Sequence, residues 1–251
     1  MKKLSVIIPV GNEIHNISEV IKSVDFADEI LIVDSFSNDG TYEIAKKMPV
    51  KIIRREYNYS ASQKNWAIPQ AKHEWILIVD ADERVSLDLR KEILEILSSK
   101  DSSIDAYWIK RKNYFMGKKV NFSGWQNDGV YRLFKKNKCV YEDKYVHAKL
   151  IVKGKTKSLK NPLIHNTYIN INSHIKKLNR YAFLQAKDYD KITKKLTLYH
   201  FIIKPQWAFF KHYFIQLGFL DGIVGLIISF LRLYSVFMRY VNLWLIRRNK
   251  L

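Results

Sequence analysis

Trp75-Ile76-Leu77-Ile78-Val79-Asp80-Ala81-Asp82 is the stretch on which the fold turns. Its apolar run reads as a strand buried on both faces, the habit of parallel sheets covered by helices. Two carboxylates follow at once. On extended backbone, residues i and i+2 point to the same side, and the carboxyl ends of parallel strands form the ligand crevice of open α/β sheets. Working outward, Leu4–Val10, Glu29–Val33 ending in Asp34, and Val50–Ile53 are further strand runs. Between them Ile17, Val20, Ile21 and Val24 recur at helical spacing, Thr41–Met48 is helix-like until Pro49, and Ser62–Ala71 is a third helix. Downstream, Ser86 is placed to cap a helix over Leu87–Leu97. This alternation predicts βαβ units and an α/β, Rossmann-like, mostly parallel sheet flanked by helices.

The pattern changes after about residue 106. Ala106–Ile109 and Val130–Phe134 read as strands separated by a Gly- and Asn-containing excursion, an antiparallel extension of the sheet. Helix returns over Asn170–Asp190, with Ile175, Leu178, Tyr181 and Ala182 on one face. The last fifty residues are rich in aromatic and aliphatic side chains punctuated by Lys204, Lys211, Arg232, Arg239 and Arg247-Arg248. Gly222–Leu231 is only ten residues without a charge, short of the ~20 that a bilayer core requires. Instead Leu231, Tyr234, Phe237 or Met238, Val241 and Leu245 recur at three- and four-residue intervals, with Arg232, Arg239 and Asn242 elsewhere around the wheel. Such a helix can lie in a membrane interface with Lys and Arg toward lipid phosphates. The alternative is an ordinary core helix.

Composition bounds the partners. The 251 residues carry 43 Lys+Arg against 24 Asp+Glu, a net charge of +19. Residues 1–100 are nearly balanced, 14 basic to 16 acidic, so the excess belongs to residues 101–251, with 29 basic to 8 acidic. That asymmetry calls for a polyanionic partner, nucleic acid or an anionic membrane leaflet. The basic residues are interleaved with bulky aliphatic helices and no nucleic-acid motif is present, which argues for no nucleic acid. The single cysteine, Cys139, excludes an intramolecular disulfide framework and a Cys-based zinc cluster and agrees with a reducing compartment. The apolar run near Met1 is too short for a signal-peptide core, so the expected place is the cytoplasm.

Asp80 and Asp82 are the kind of pair that holds a hard divalent cation, which in turn clamps a diphosphate leaving group; the competing reading is a solvated acidic loop. Asp34 stands at the equivalent edge of its strand, able to accept from a base or ribose. Asp39 or Thr41 there can also serve as a helix cap, with Gly40 making the turn. His147 and His165 suit either a donor phosphate, an acceptor or a hydrogen-bonded structural role, and the spacing of the seven histidines argues against a His-based metal site. Trp125 can stack on an acceptor sugar or fill a core. Arg132 can meet a phosphate or a buried acid.

Taken together, Ser5-Val6-Ile7-Ile8-Pro9-Val10 with Asn12-Glu13, Asp34-Ser35 with Asp39-Gly40-Thr41, Gln63-Lys64-Asn65 and Asp80-Ala81-Asp82-Glu83 resemble the family 2 glycosyltransferases of the GT-A fold. Gly124-Trp125, Asp128, Arg132-Leu133-Phe134, Val146-His147, His165-Asn166-Thr167-Tyr168, Arg180-Tyr181-Ala182 and Gly218-Phe219-Leu220-Asp221-Gly222 resemble the beta-1,4-glucosyltransferase subgroup that builds the lipopolysaccharide or lipooligosaccharide inner core. The resemblance implies a GT-A catalytic domain over residues 1–168, with a nucleotide-sugar half (1–100) and an acceptor half (101–168). Residues 169–251 would form a helical region facing membrane and acceptor.

The resemblance also implies roles. Pro9, Val10, Glu13, Asp34 and Ala81 would line the nucleoside side of the donor site, Lys64 would meet the diphosphate, Asp80 the ribose or metal, and Asp82 the metal, Mg²⁺ or Mn²⁺. Trp125 and Arg132 would face the acceptor. The donor would be a UDP-hexose, with UDP-glucose first, and the acceptor a lipid-linked saccharide at the anionic inner face of the cytoplasmic membrane. Inversion needs a carboxylate to deprotonate the acceptor hydroxyl, and in the subgroup a glutamate is expected directly after the Val-His pair. This chain has Ala148 there, which leaves Asp128, Asp143, Glu142 and His147 as substitutes. Transfer to a polyprenyl phosphate or another envelope glycan, and nucleotide-sugar binding without catalysis, are the alternatives.

Overall fold

The computed structural model describes residues 1–101, 103–145, 148–167 and 171–250. In chain order these form β1 (Leu4–Val10), α1 (Ile17–Ser23), β2 (Glu29–Asp34), α2 (Thr41–Lys46), β3 (Lys51–Arg54), α3 (Ser60–Ala67), β4 (Trp75–Ile78), β5 (Glu83–Val85), α4 (Leu87–Ser98) and β6 (Ala106–Phe115). There follow β7 (Lys118–Lys119), β8 (Gly129–Lys135), β9 (Cys139–Tyr141), β10 (Leu150–Val152), β11 (Thr156–Ser158), β12 (Leu163–Thr167), α5 (Ile171–Asp190), α6 (Leu198–Phe201), α7 (Ile203–Phe210) and α8 (Gly222–Ile246). They divide into two compact units. One comprises residues 1–112 and 129–165, the other residues 113–128 and 166–250, so the excursion after β6 groups with the C-terminal helices.

The first unit is built on a mixed sheet in the order β3-β2-β1-β4-β8-β6-β12-β5. β3, β2, β1 and β4 are parallel, and β8 joins β4 antiparallel. β1 shows why the apolar run was readable. Leu4, Val6, Ile8 and Val10 turn to one face, against Ile17, Val20 and Ile21 of α1 and Leu89, Ile93 and Leu97 of α4, while Ile7 joins Leu31, Val33, Ile76 and Ile78 over Ala61 and Ala67 of α3. Both faces are covered, so no polar alternation is needed along the strand. Ser86 caps α4 as expected, its Oγ accepting from the Leu89 amide at 3.2 Å. Gly40 precedes α2 at φ +95°, a backbone conformation that favours glycine, and a Cβ there would stand a tight 3.1 Å from Ile14 Cδ1.

Two features shape the strand ends. β1 pairs with β4 only from Leu4 to Ile7, and Pro9, which has no N–H to donate, lies past the end of that ladder. After β4 the chain turns back as β5, an element the periodicity did not foresee, which pairs antiparallel with β12.

In the second unit α5 packs along α8, joined by Tyr234 Oη to Asn179 Oδ1 (2.8 Å) and Arg247 Nε to Asp190 Oδ1 (2.7 Å). Gly225 lets α8 approach the preceding turn, since a Cβ would fall 1.8 Å from the Gly218 carbonyl oxygen. The Asp221 carboxylate accepts from the amides of Asn121 (3.0 Å) and Phe122 (2.9 Å) and from Ser123 Oγ (3.0 Å), fixing the excursion.

Candidate active site

The turn from Asp80 to Glu83 is wired from within. Glu83 Oε2 accepts from the Asp80 amide at 3.0 Å, and Arg84 Nη1 donates to the carbonyls of Ala81 (2.7 Å) and Glu83 (2.8 Å). Arg84 also reaches Asn16 Oδ1 at 2.9 Å, and Asn16 donates to Glu13 Oε2 at 2.9 Å. The loop after β1 is thereby tied to the loop after β4, the two places where a parallel sheet presents ligand-binding residues.

Beneath the turn lies a buried ionic cluster. Asp80 Oδ1 meets Lys64 Nζ at 2.9 Å, and Arg132 bridges Asp80 Oδ2 and Glu83 Oε1, the latter at 2.7 Å. Arg111 approaches the same Glu83 oxygen at 3.5 Å. Burial alone would raise the Asp80 carboxyl, but the Arg132 and Lys64 cations hold it well below the usual carboxylate range. Arg132, expected to meet the acceptor, is buried and paired with these acids. Glu83 and Arg111 complete the cluster although neither stood out in the sequence; the signal for Glu83 was its place at the end of Asp80-Ala81-Asp82-Glu83.

Asp82 is placed differently. Its Oδ2 lies 3.6 Å from His165 Nε2, because His165 is opposite Glu83 in the β5–β12 register. No group of three His, Cys, Asp or Glu side chains in ligand geometry occurs among the described residues. Mg²⁺ and similar hard cations are held through one or two carboxylates when substrate phosphates and waters supply the other ligands, and Asp82, beside His165, is placed to be such a carboxylate.

On the other side of β1, Asp34 is fully buried and pairs with Arg54 Nε at 3.0 Å while accepting from the Ser37 amide. Arg54 stacks between the rings of Phe36 (4.5 Å) and Tyr42 (4.6 Å). Asp39, not Asp34, serves the start of α2, accepting from the Thr41 amide at 3.0 Å. Val10 and Ala81 are both buried.

The residues weighed for the proton-accepting role are scattered. In the first unit Asp143 accepts from Tyr59 Oη, Glu142 binds Lys144 at 3.0 Å, and Ala148 packs half-buried against the α3 side of the sheet. His147 lies outside the described residues. In the second unit Asp128 Oδ2 accepts from the buried Asn113 Nδ2 at 2.9 Å, and half-buried Trp125 sets its ring edge-on to Phe115.

The residues from Ser5 to Gly154 match the profile of glycosyl transferase family 2. The chain belongs to glycosyl transferase family 2. Relatives of similar length include a glycosyltransferase of Rickettsia felis, 31% identical over 97% of this chain and 90% of that one. The lipopolysaccharide core biosynthesis glycosyltransferase LpsC of Rhizobium meliloti is 26% identical over 94% of this chain and 93% of that one. Among solved structures, S. aureus TarS 1–349 in complex with UDP-GlcNAc covers 99% of this chain at 15% identity and a TM-score of 0.48. In this family 2 chain the mixed, helix-flanked sheet is the GT-A fold.

Proposed function

We propose that this glycosyltransferase transfers a hexose, with glucose first among candidates, from a UDP-sugar to a lipid-linked saccharide of the lipopolysaccharide inner-core type, inverting the anomeric centre. The carrying observation is the pair Asp82 and His165 beside a neutralised Asp80. It supports a donor site in which Asp82 and His165 would hold Mg²⁺ or Mn²⁺ while Lys64 and Arg132 fix the turn. When bound, the metal would supply charge neutralisation to the departing UDP. Glu13, Asp34, Pro9, Val10 and Ala81 line the nucleoside side. Asp128 is our assignment for the base, since Asn113 orients its carboxylate, Tyr59 already donates to Asp143, and Ala148 cannot take a proton. The similarity to LpsC supports the acceptor class, and the charge of residues 101–251 fits acceptor phosphates at the inner face of the cytoplasmic membrane.

The test is transfer of labelled glucose from UDP-glucose to extracted lipid-linked core saccharide in the presence of Mn²⁺. Labelled product in the wild type and none in Asp82→Ala is the expected result. UDP-glucose consumed only with a polyprenyl phosphate acceptor would replace the acceptor assignment, and no UDP-sugar use at all would reject the reading.

A further inference from the structure

α8 is apolar outside and mixed inside. Every exposed side chain of this 25-residue helix is apolar: Ile223, Ile227, Phe230, Phe237 and Trp244. Its buried positions mix Ser229, Ser235, Arg239 and Tyr240 with Ile228, Val236 and Leu243. A helix packed for water keeps polar side chains on its outer face. Of the arginines that interrupt the apolar sequence, Arg239 is turned inward, stacking on Tyr189 of α5 at 4.1 Å and reaching Gln185 at 3.4 Å, and Arg232 is half-buried. The expectation that Arg239 faces lipid phosphates is therefore corrected. α7 and the turn after it continue the same apolar surface through Ile203, Trp207, Phe210 and Phe214.

Charge identifies the partner. Residues 191–250 contain ten Lys+Arg and one acid, Asp221, and that acid is turned onto the amides of Asn121 and Phe122. An apolar face this extensive, set in a segment with one inward-turned carboxylate, matches an anionic phospholipid surface. A second copy of the chain would bring the same cations against each other.

Posture follows from α5. Gly218–Ile246 is long and apolar enough to cross a membrane by length and composition, and the exposed stripe from residue 223 to 244 is about 31 Å long. Yet α5 runs along α8, and from Asn172 onward all of its exposed side chains, such as Lys176, Arg180, Lys187 and Asp190, are polar or charged. A spanning α8 would drag that charged flank into hydrocarbon. We infer that the α7–α8 face seats this protein on an anionic bilayer surface with α8 lying in the membrane plane, its stripe in the acyl boundary and α5 on the water side. This deepens the lipid-linked acceptor reading, though it rests on these residues alone and is tested without catalysis.

The test is cosedimentation of the full chain with phosphatidylethanolamine/phosphatidylglycerol vesicles and, in parallel, with phosphatidylcholine vesicles. The chain should pellet with the anionic vesicles, less so as salt rises. F230S/F237S/W244S, all at exposed positions and checked for native circular dichroism, should weaken binding by about tenfold or more. Undiminished binding of the triple variant would overturn the proposal. So would a failure to bind lipid accompanied by a dimer, seen in light scattering, that the triple variant dissolves. For posture, Q126C and N249C in a C139S background should both react with an impermeant maleimide added outside sealed vesicles. Modification of only one would mean that α8 spans.

Discussion

Asp82 and His165 face each other across the β5–β12 ladder, Oδ2 to Nε2 at 3.6 Å, although 83 positions separate them in the chain. The pairing has a simple origin: His165 is opposite Glu83, so the next residue back along β5's approach comes within reach of its ring. Asp82→Ala should abolish divalent-stimulated UDP binding. His165→Ala should raise the Mn²⁺ concentration needed for half-maximal activity by about tenfold to a hundredfold, the range met for residues that support a metal site. A metal titration of activity checks both, and an unchanged metal requirement in His165→Ala would remove that residue from the donor set.

Arg132 is the structural keystone of the turn. Arg132→Met leaves Glu83 facing only Arg111 and Asp80 facing only Lys64, so stability should fall by about 3–5 kcal/mol, the usual result of removing one partner from a buried ion pair. Urea denaturation followed by circular dichroism measures it. Arg132→Lys should recover only part of the loss, because an ammonium cannot bridge two carboxylates as a guanidinium does.

His174, on α5, sets a pH dependence. Burial pushes its pKa down to about 4, from an ordinary value near 6.5. The folded state therefore holds it neutral while the unfolded chain takes up a proton. Its contribution to stability is complete above pH 6.5 and is lost as the pH falls from 6.5 toward 4. His174→Phe, which keeps the edge-on contact with Phe115, should flatten the thermal midpoint over that window; a slope identical to wild type would show that other groups titrate there.

The proton-accepting role separates by substitution. Asp128→Asn should lower kcat by about a hundredfold or more with little change in the KM for UDP-sugar, since general base catalysis contributes about 10²–10⁴. Asp143→Asn should leave kcat within a few-fold. Ala148→Glu tests the position where the subgroup keeps a glutamate: higher activity in this variant, with Asp128→Asn silent, would move the role to position 148.

Much of the fold was written in local pattern. The runs at Leu4–Val10 and Trp75–Val79 have no polar alternation because helices cover both faces, and Ser86 announced α4 because a hydroxyl at that position satisfies a free amide. What escaped was set by distant pairing. β5 is three residues long, too short to carry a periodicity, and exists because β12 supplies its partner. Arg132 was legible as a cation in a strand but not as the counter-ion of Asp80 and Glu83, which lie about fifty positions upstream. On α8 the apolar repeat was visible through Tyr234 and Phe237, whereas the direction of Arg239 was not, because only the presence of Tyr189 and Gln185 on α5 turns it inward.

Calorimetric titration of UDP into the full chain, with and without Mn²⁺, and into Asp82→Ala, addresses the donor site with no assumption about the acceptor. Mn²⁺ should strengthen binding by at least about tenfold in the wild type and leave it unchanged in the variant. Binding that is indifferent to Mn²⁺ in both proteins, or no binding of UDP at all, would contradict the donor-site assignment.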